Sequence, residues 1–174
     1  MEVPADTSPA SKVPDGSLEA RALRDALGCF PTGVTIVTAL GANGERVGFT
    51  ANSFTSVSLD PPLVLVCVGK TSSSLSTLIE ASAFSINVLH AGQRHVSQHF
   101  TRRGVDRFTE GEWEVGETGV PLLAQSAASF ECEKYAVHEA GDHLIFLGLV
   151  KGVRFDPDHK PLLFMQGKYH GEGA

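Results

Sequence analysis

The stretch Gly48-Phe-Thr-Ala-Asn-Ser-Phe-Thr-Ser-Val-Ser-Leu-Asp-Pro-Pro-Leu-Val-Leu-Val-Cys-Val68 decides how this chain folds. Its second half is apolar and β-branched, the composition of a buried strand. Asp60-Pro61-Pro62 breaks the run, because proline can begin a strand or lie on an edge but cannot donate a ladder hydrogen bond from its middle. Residues 54–59 and 63–68 therefore read as two strands around a turn. The first half sets Thr50, Asn52, Ser53, Thr55, Ser56 and Ser58 beside that strand pair. Convergent hydroxyls, amides and backbone N–H groups of this kind suit a planar heterocycle with carbonyl and ring-nitrogen acceptors. Hydroxyls on the solvated face of a strand read the same way.

Upstream, residues 34–40 form a β-branched run between Gly33 and Gly41, and Ala42-Asn43-Gly44 is a hairpin turn that returns the chain through residues 46–50. A helix is expected over 18–27, with Leu23, Ala26 and Leu27 on one side, and a disordered tail over 1–16, where prolines interrupt a stretch with little to bury. Downstream, Leu75, Leu78 and Ile79 give a helical stripe within 72–81, followed by a strand over 84–89, a short helix over 93–100, a polar excursion over 104–119, and strands over 128–138, 142–155 and 162–166. About seven strands with few helices argue against a βαβ sheet and for a mainly β domain over 17–170, a closed or nearly closed antiparallel barrel, before a short tail over 171–174.

The 174 residues fit one domain, and 14 basic against 20 acidic residues give a net charge of −6 with no basic block beyond Arg102 and Arg103. Nucleic acid is thereby disfavoured, since polyanion binding needs a basic face. The three cysteines show no metal-ligand or disulfide spacing, and Cys67 and Cys132 lie in apolar runs, as buried thiols do. Neither a signal peptide nor a membrane span is visible, so a cytoplasmic location is expected.

Three clusters could carry chemistry. Lys70-Thr-Ser-Ser-Ser74 joins a strand to a helix, where amide groups and hydroxyls can receive a phosphate or simply cap the helix. Ala140-Gly-Asp-His143 is a turn that leaves His143 at the edge of the core, either reaching a pocket mouth or serving as an ordinary turn residue. Gly148 leaves room for a ring or another backbone, or marks a bulge. His95 and His99 have helical spacing but no HExxH glutamate, so no metal is expected. No Rossmann fingerprint, phosphate-cradling Walker loop or GxSxG elbow is present.

Taken in order, Phe30-Pro-Thr-Gly-Val-Thr-Ile-Val-Thr38, the Thr50 to Pro62 run, Ser72-Ser-Ser-Leu75, Phe84-Ser-Ile-Asn-Val-Leu89, Gly141-Asp-His143, Pro161-Leu-Leu-Phe164 and Gly167-Lys-Tyr169 resemble the short-chain flavin reductases. That family has an FMN-binding split-barrel fold and supplies the reductase partners of two-component flavin monooxygenases. The resemblance implies a homodimer with FMN or FAD near its interface. Pro31 and Thr32 would approach the flavin. Thr50, Ala51, Asn52 and Ser53 would line its ring and ribityl chain, and Ser56, Val57 and Ser58 would add backbone contacts. Lys70, Ser72, Ser73 and Ser74 would hold the phosphate end, and Phe100 or Tyr169 would cover the ring. It assigns His143 to the nicotinamide side, as a group that orients and stabilises rather than a base. The absence of a basic cluster for a 2′-phosphate leans toward NADH over NADPH. A reductase that releases its flavin to a flavin-dependent monooxygenase is the expected function, with a tightly bound FMN oxidoreductase or oxygenase and a non-enzymatic flavin-binding module as alternatives.

Overall fold

A computed structural model describes residues 19–171, so the expectations for the tail over 1–16 and for 172–174 lie outside the described residues. In chain order the elements are α1 (Ala20–Gly28), β1 (Thr32–Gly33), β2 (Thr35–Leu40), β3 (Arg46–Ala51), β4 (Thr55–Leu59), β5 (Pro62–Gly69), α2 (Leu75–Glu80), β6 (Ala83–Val88), α3 (Arg94–Phe100), β7 (Trp113–Val115), β8 (Pro121–Leu123), β9 (Ala128–Ala140), β10 (His143–Phe155), β11 (Leu163–Met165) and β12 (Lys168–His170). Single 3-10 turns occupy Ala91–Gln93 and Arg107–Thr109.

The main sheet has seven strands in the order β3-β2-β6-β9-β10-β5-β4, and every pairing is antiparallel. One core takes Val47 and Ala51 from β3 together with Val64, Val66 and Val68 from β5, so strands near opposite ends of the sheet share an interior. That requires a strongly rolled sheet. The roll does not close, because β3 and β4 are the two ends and do not pair. A barrel split along one seam is the result. β4 covers β5 only as far as Leu65. Beyond that point Ser53 takes over, its Oγ accepting from the Cys67 amide at 2.9 Å and donating to the Cys67 carbonyl at 3.3 Å. A side chain thus satisfies an edge that a strand would otherwise cover.

β2 is buried on both faces, which is why it reads as a continuous apolar run rather than an alternating one. Val37 and Ala39 enter the barrel core. Ile36 faces the other way, into a second core with Val34, Val96, Phe100, Phe108 and Leu162. This second layer contains the main departure from the sequence reading. The polar excursion holds the β7–β8 hairpin, and long-range contacts position it. Thr38 and Ser85 hydroxyls donate to the Pro121 carbonyl, the Asn87 side-chain oxygen accepts from the Leu123 amide, and Glu131 accepts from both the amide and hydroxyl of Thr118 at 3.0 Å.

Gly148 combines the two readings made of it: the β9–β10 register shifts beside it, and a Cβ there would lie 2.7 Å from the Phe84 ring and from Cys132. Burial pushes the Cys132 thiol up to about 12, with Glu131 adding to the shift, so it stays a protonated apolar filler. Helix α1 differs from α2 and α3, for none of its residues is buried and Leu23 and Leu27 are exposed. No helix among the described residues is long and apolar enough to cross a membrane.

Candidate functional site

The C-terminal ends of β3 and β5 meet at a groove, where Thr50 stands with Gly69 and Thr71. Two cavities lie there. One, of about 890 Å³, is lined by Leu27, Phe30, Thr32, Asn52, His143 and Phe164 among others. The second, of about 800 Å³, is lined by Thr50, Thr71, Ser72, Ser73, Arg103 and Arg107, with the Phe49 and Phe100 side chains as apolar walls. They approach each other where β5 pairs with β10. Gly69 lines the polar cavity and stands opposite His143, which lines the apolar one. A Cβ on Gly69 would lie 3.7 Å from His143 Nε2.

His143 is aimed by its neighbour. Its Nδ1 lies 2.7 Å from the Asp142 carboxylate, and this bond from His143, reinforced by the imidazole's charge, holds the Asp142 carboxyl below its ordinary value. With Nδ1 turned to that carboxylate, the other ring nitrogen, Nε2, is directed to Gly69. The β9–β10 turn makes this possible, since Gly141 has a φ of 62° and reverses the chain immediately before the two residues.

Other expected site residues divide into three groups. Thr32, Asn52 and His143 come together at the apolar cavity, while Thr50, Ser72, Ser73 and Phe100 come together at the polar one. Several hydroxyls near the groove are spent on the scaffold: Thr50 donates to the Ser97 carbonyl at 2.8 Å, Ser53 caps Cys67, and Ser74 donates to the Gly48 carbonyl at 3.2 Å. Tyr169 shares a 2.9 Å hydrogen bond with Ser97 and has Arg94 over its ring.

The remaining expected residues lie off both cavities. Ala51 faces the barrel core. Ser56, Val57 and Ser58 are on edge strand β4, where the register shifts, and Ser58 accepts from the Asp60 amide. Pro31 is exposed between Phe30 and Thr32. Lys70 turns to Glu139 at 3.4 Å. Helix α2 begins at Leu75 rather than at residue 72, because the Ser72 to Ser74 segment is a turn in which the Ser72 and Ser74 amides and the Leu75 amide are already bonded internally. A phosphate contact there would use hydroxyls more than a helix end.

Arg103, Arg107 and Asp142 were missed by the sequence reading. Arg107 donates to the Gly48 carbonyl at 2.7 Å and lies 3.4 Å from Ser74 Oγ, tying β3 to the serine turn. Arg103 makes no hydrogen bond or ion pair among the described residues. The signals were available: Arg102-Arg103 is the one adjacent basic pair, and Asp142 sits inside the Gly-Asp-His motif. What could not be read was that residues 101–107 fold back against β3.

The arrangement fits a flavin. An apolar slot with Asn52 at its wall suits a planar ring with polar edges, and Thr71, Ser73 and Arg103, which have no partners among the described residues, line a cavity suited to a phosphate. Comparison with known proteins agrees. The flavin reductase like domain matches residues 27–173, and the chain belongs to that family. The NADH:FAD oxidoreductase SgcE6 of Streptomyces globisporus, solved with NAD and FAD fragments, superposes with a TM-score of 0.85 at 42% identity, covering 93% of this chain and 96% of that one. FMN reductase (NADH) SmoA of Agrobacterium fabrum is 46% identical over 158 residues, 90% of this chain and 88% of the relative. The stachydrine N-demethylase reductase subunit Stc3 of Rhizobium meliloti is 54% identical over 130 residues, 75% of this chain and 56% of the relative, so the chain spans about half that protein's length.

Proposed function

We propose that the chain is an NADH-dependent flavin reductase that takes FMN or FAD as a loosely held partner and releases it reduced to a flavin-dependent monooxygenase. The observation that carries this reading is the position of His143, with Nε2 beside Gly69 where the apolar and polar cavities approach. The flavin supplies the acceptor for a hydride from the nicotinamide, so the chain needs no nucleophile of its own.

The side chains provide binding, orientation and exclusion of water. Phe30, Phe164 and Leu27 make the apolar slot in which two stacked rings leave little room for solvent. Asn52 lines the wall of that slot with its amide uncommitted among the described residues. His143, oriented through Nδ1 by Asp142, presents Nε2 as the hydrogen-bonding partner of a carboxamide. Arg103 and the Thr71 and Ser73 hydroxyls receive the phosphate. In this reading two copies pair as a cytoplasmic homodimer, which is supported by the apolar residues left uncovered on one chain, with Leu27 66%, Phe30 73%, Leu59 95% and Phe155 73% exposed.

The deciding experiment is anaerobic reduction of added FMN and FAD by NADH and NADPH with desalted protein, followed by filtration. Fast reduction with NADH and free reduced flavin in the filtrate supports the reading. Reduced flavin retained on the protein replaces it with a self-contained flavoenzyme, and binding without reduction replaces it with a flavin-binding module.

A further inference from the structure

The polar cavity does not end at Thr71, Ser73 and Arg103. A further cavity of about 270 Å³ adjoins it, sharing Ser73, Gly104 and Arg107 and continuing between β3 and the 104–108 turn. The two spaces differ in charge. Arg103 and Arg107 line the polar cavity, whose lining includes no Asp or Glu, and Arg107 is shared with the smaller one. The smaller cavity has Arg46 and Arg107 balanced by Glu45 and Asp106, and the Asp106 carboxylate already accepts from the Phe108 amide. A net cationic space suits phosphate oxygens, while a charge-balanced space with an aromatic wall suits a neutral nucleoside.

The wall of the smaller cavity is specific. The Arg46 guanidinium stands over the Phe108 ring, its carbon 4.6 Å from the ring centroid. Phe108 is itself locked edge-on between Phe100 and Trp113, at centroid distances of 5.4 Å and 4.8 Å. Arg46 is exposed at the start of β3 and makes no ion pair among the described residues, so its guanidinium is open to a base approaching from solvent. A guanidinium held over an aromatic ring can extend that ring as a stacking platform, and base stacking is tolerant of which edge the base presents.

We propose that this adjoining cavity receives the adenosine end of FAD, with Arg103 and Arg107 on the diphosphate and Arg46 as the residue that makes the chain prefer FAD over FMN. The inference rests on the flavin reading of the groove and deepens it. FMN has nothing to place beyond Ser73 and gains nothing from Arg46. FAD gains one stacking contact and fills the second space.

Equilibrium binding of riboflavin, FMN and FAD to the desalted full chain, followed by flavin fluorescence, tests this in the unaltered protein and in Arg46→Ala. The unaltered chain is expected to bind FAD about fivefold or more tighter than FMN, the size that one stacked base provides. Arg46→Ala is expected to collapse that ratio toward unity, with far-UV circular dichroism confirming the fold. Equal affinity for FMN and FAD in the unaltered chain, or a ratio unmoved by Arg46→Ala, overturns the inference while leaving the flavin reading intact. Failure of all three flavins to bind overturns both.

Discussion

The two main cavities of the groove are close in size, about 890 Å³ and about 800 Å³, and opposite in character. One is walled by Leu27, Phe30, Phe164 and Met165, with Arg24 and Asp25 at one part of its lining and Thr32, Asn52, His143 and Gln166 as its neutral polar groups. The other is walled by hydroxyls and arginines, with Arg103 left without a partner among the described residues. Such a pair divides the labour of holding an amphipathic ligand. The apolar end gains from removing a ring from water and is insensitive to salt, whereas the polar end gains from charge-assisted bonds that salt and mutation weaken. His143 belongs to the apolar end and Arg103 to the polar end, so perturbing each should separate catalysis from affinity.

The largest expected separation comes from His143→Ala. Losing the aimed Nε2 should lower kcat/KM for NADH about tenfold to a hundredfold, as misplacement of a reacting ring does, with a much smaller change in the flavin Kd. Steady-state NADH saturation alongside a flavin titration checks this, and NADH saturation identical to the unaltered chain would remove His143 from the nicotinamide side. Arg103→Ala should act on the opposite end, weakening FMN about tenfold relative to riboflavin, the loss of one charge-assisted phosphate contact. A riboflavin Kd that rises in step with that of FMN would place Arg103 in the scaffold instead.

Salt sharpens the contrast without mutation. Between about 0.05 M and about 0.5 M NaCl the FMN Kd should rise severalfold while that of riboflavin holds, because screening reaches the exposed guanidinium but not the apolar slot. A fourth and smaller effect lies outside both cavities. His90 stacks on His159 at 4.6 Å, and burial, with the neighbouring charges of His159 and His95, lowers its pKa below the ordinary 6.5. A depressed histidine binds fewer protons folded than unfolded, so its contribution is present above pH 6.5 and is lost as pH falls through the folded value. Melting temperature should fall slightly from about pH 7.5 to about pH 5.5, and His90→Gln should flatten that fall.

Much of the barrel was legible because its strands announce themselves. The Asp60-Pro61-Pro62 break separates β4 from β5, with Pro62 beginning β5 as an edge-compatible proline does, and the β-branched run at β2 lies within one residue of its expected start. The 104–119 region was not legible as structure. Its hairpin depends on Asn87, Ser85 and Glu131, which lie on other strands, and no local period reports such partners. Helix α1 shows the reverse: its apolar stripe was read correctly from the spacing, yet one chain offers it nothing to bury against.

The motifs in the sequence also led to the groove, though not to the division of roles inside it. Thr50, Ser53 and Ser74 belong to the same hydroxyl-rich runs as Ser72 and Ser73, but the fold commits them to the Ser97 carbonyl, to Cys67 and to the Gly48 carbonyl. The sequence by itself determined a mainly β domain, its strand breaks, the family and the turn that carries His143, because these follow from backbone restrictions and short-range pattern. Tertiary structure alone decided that Ser53 closes the edge of β5 beyond β4, that Lys70 turns to Glu139, and that Arg103 and Arg107 line the polar cavity. Those outcomes depend on which residues, far apart in the chain, compete for the same backbone groups and the same space, and that competition is settled only when the sheet rolls.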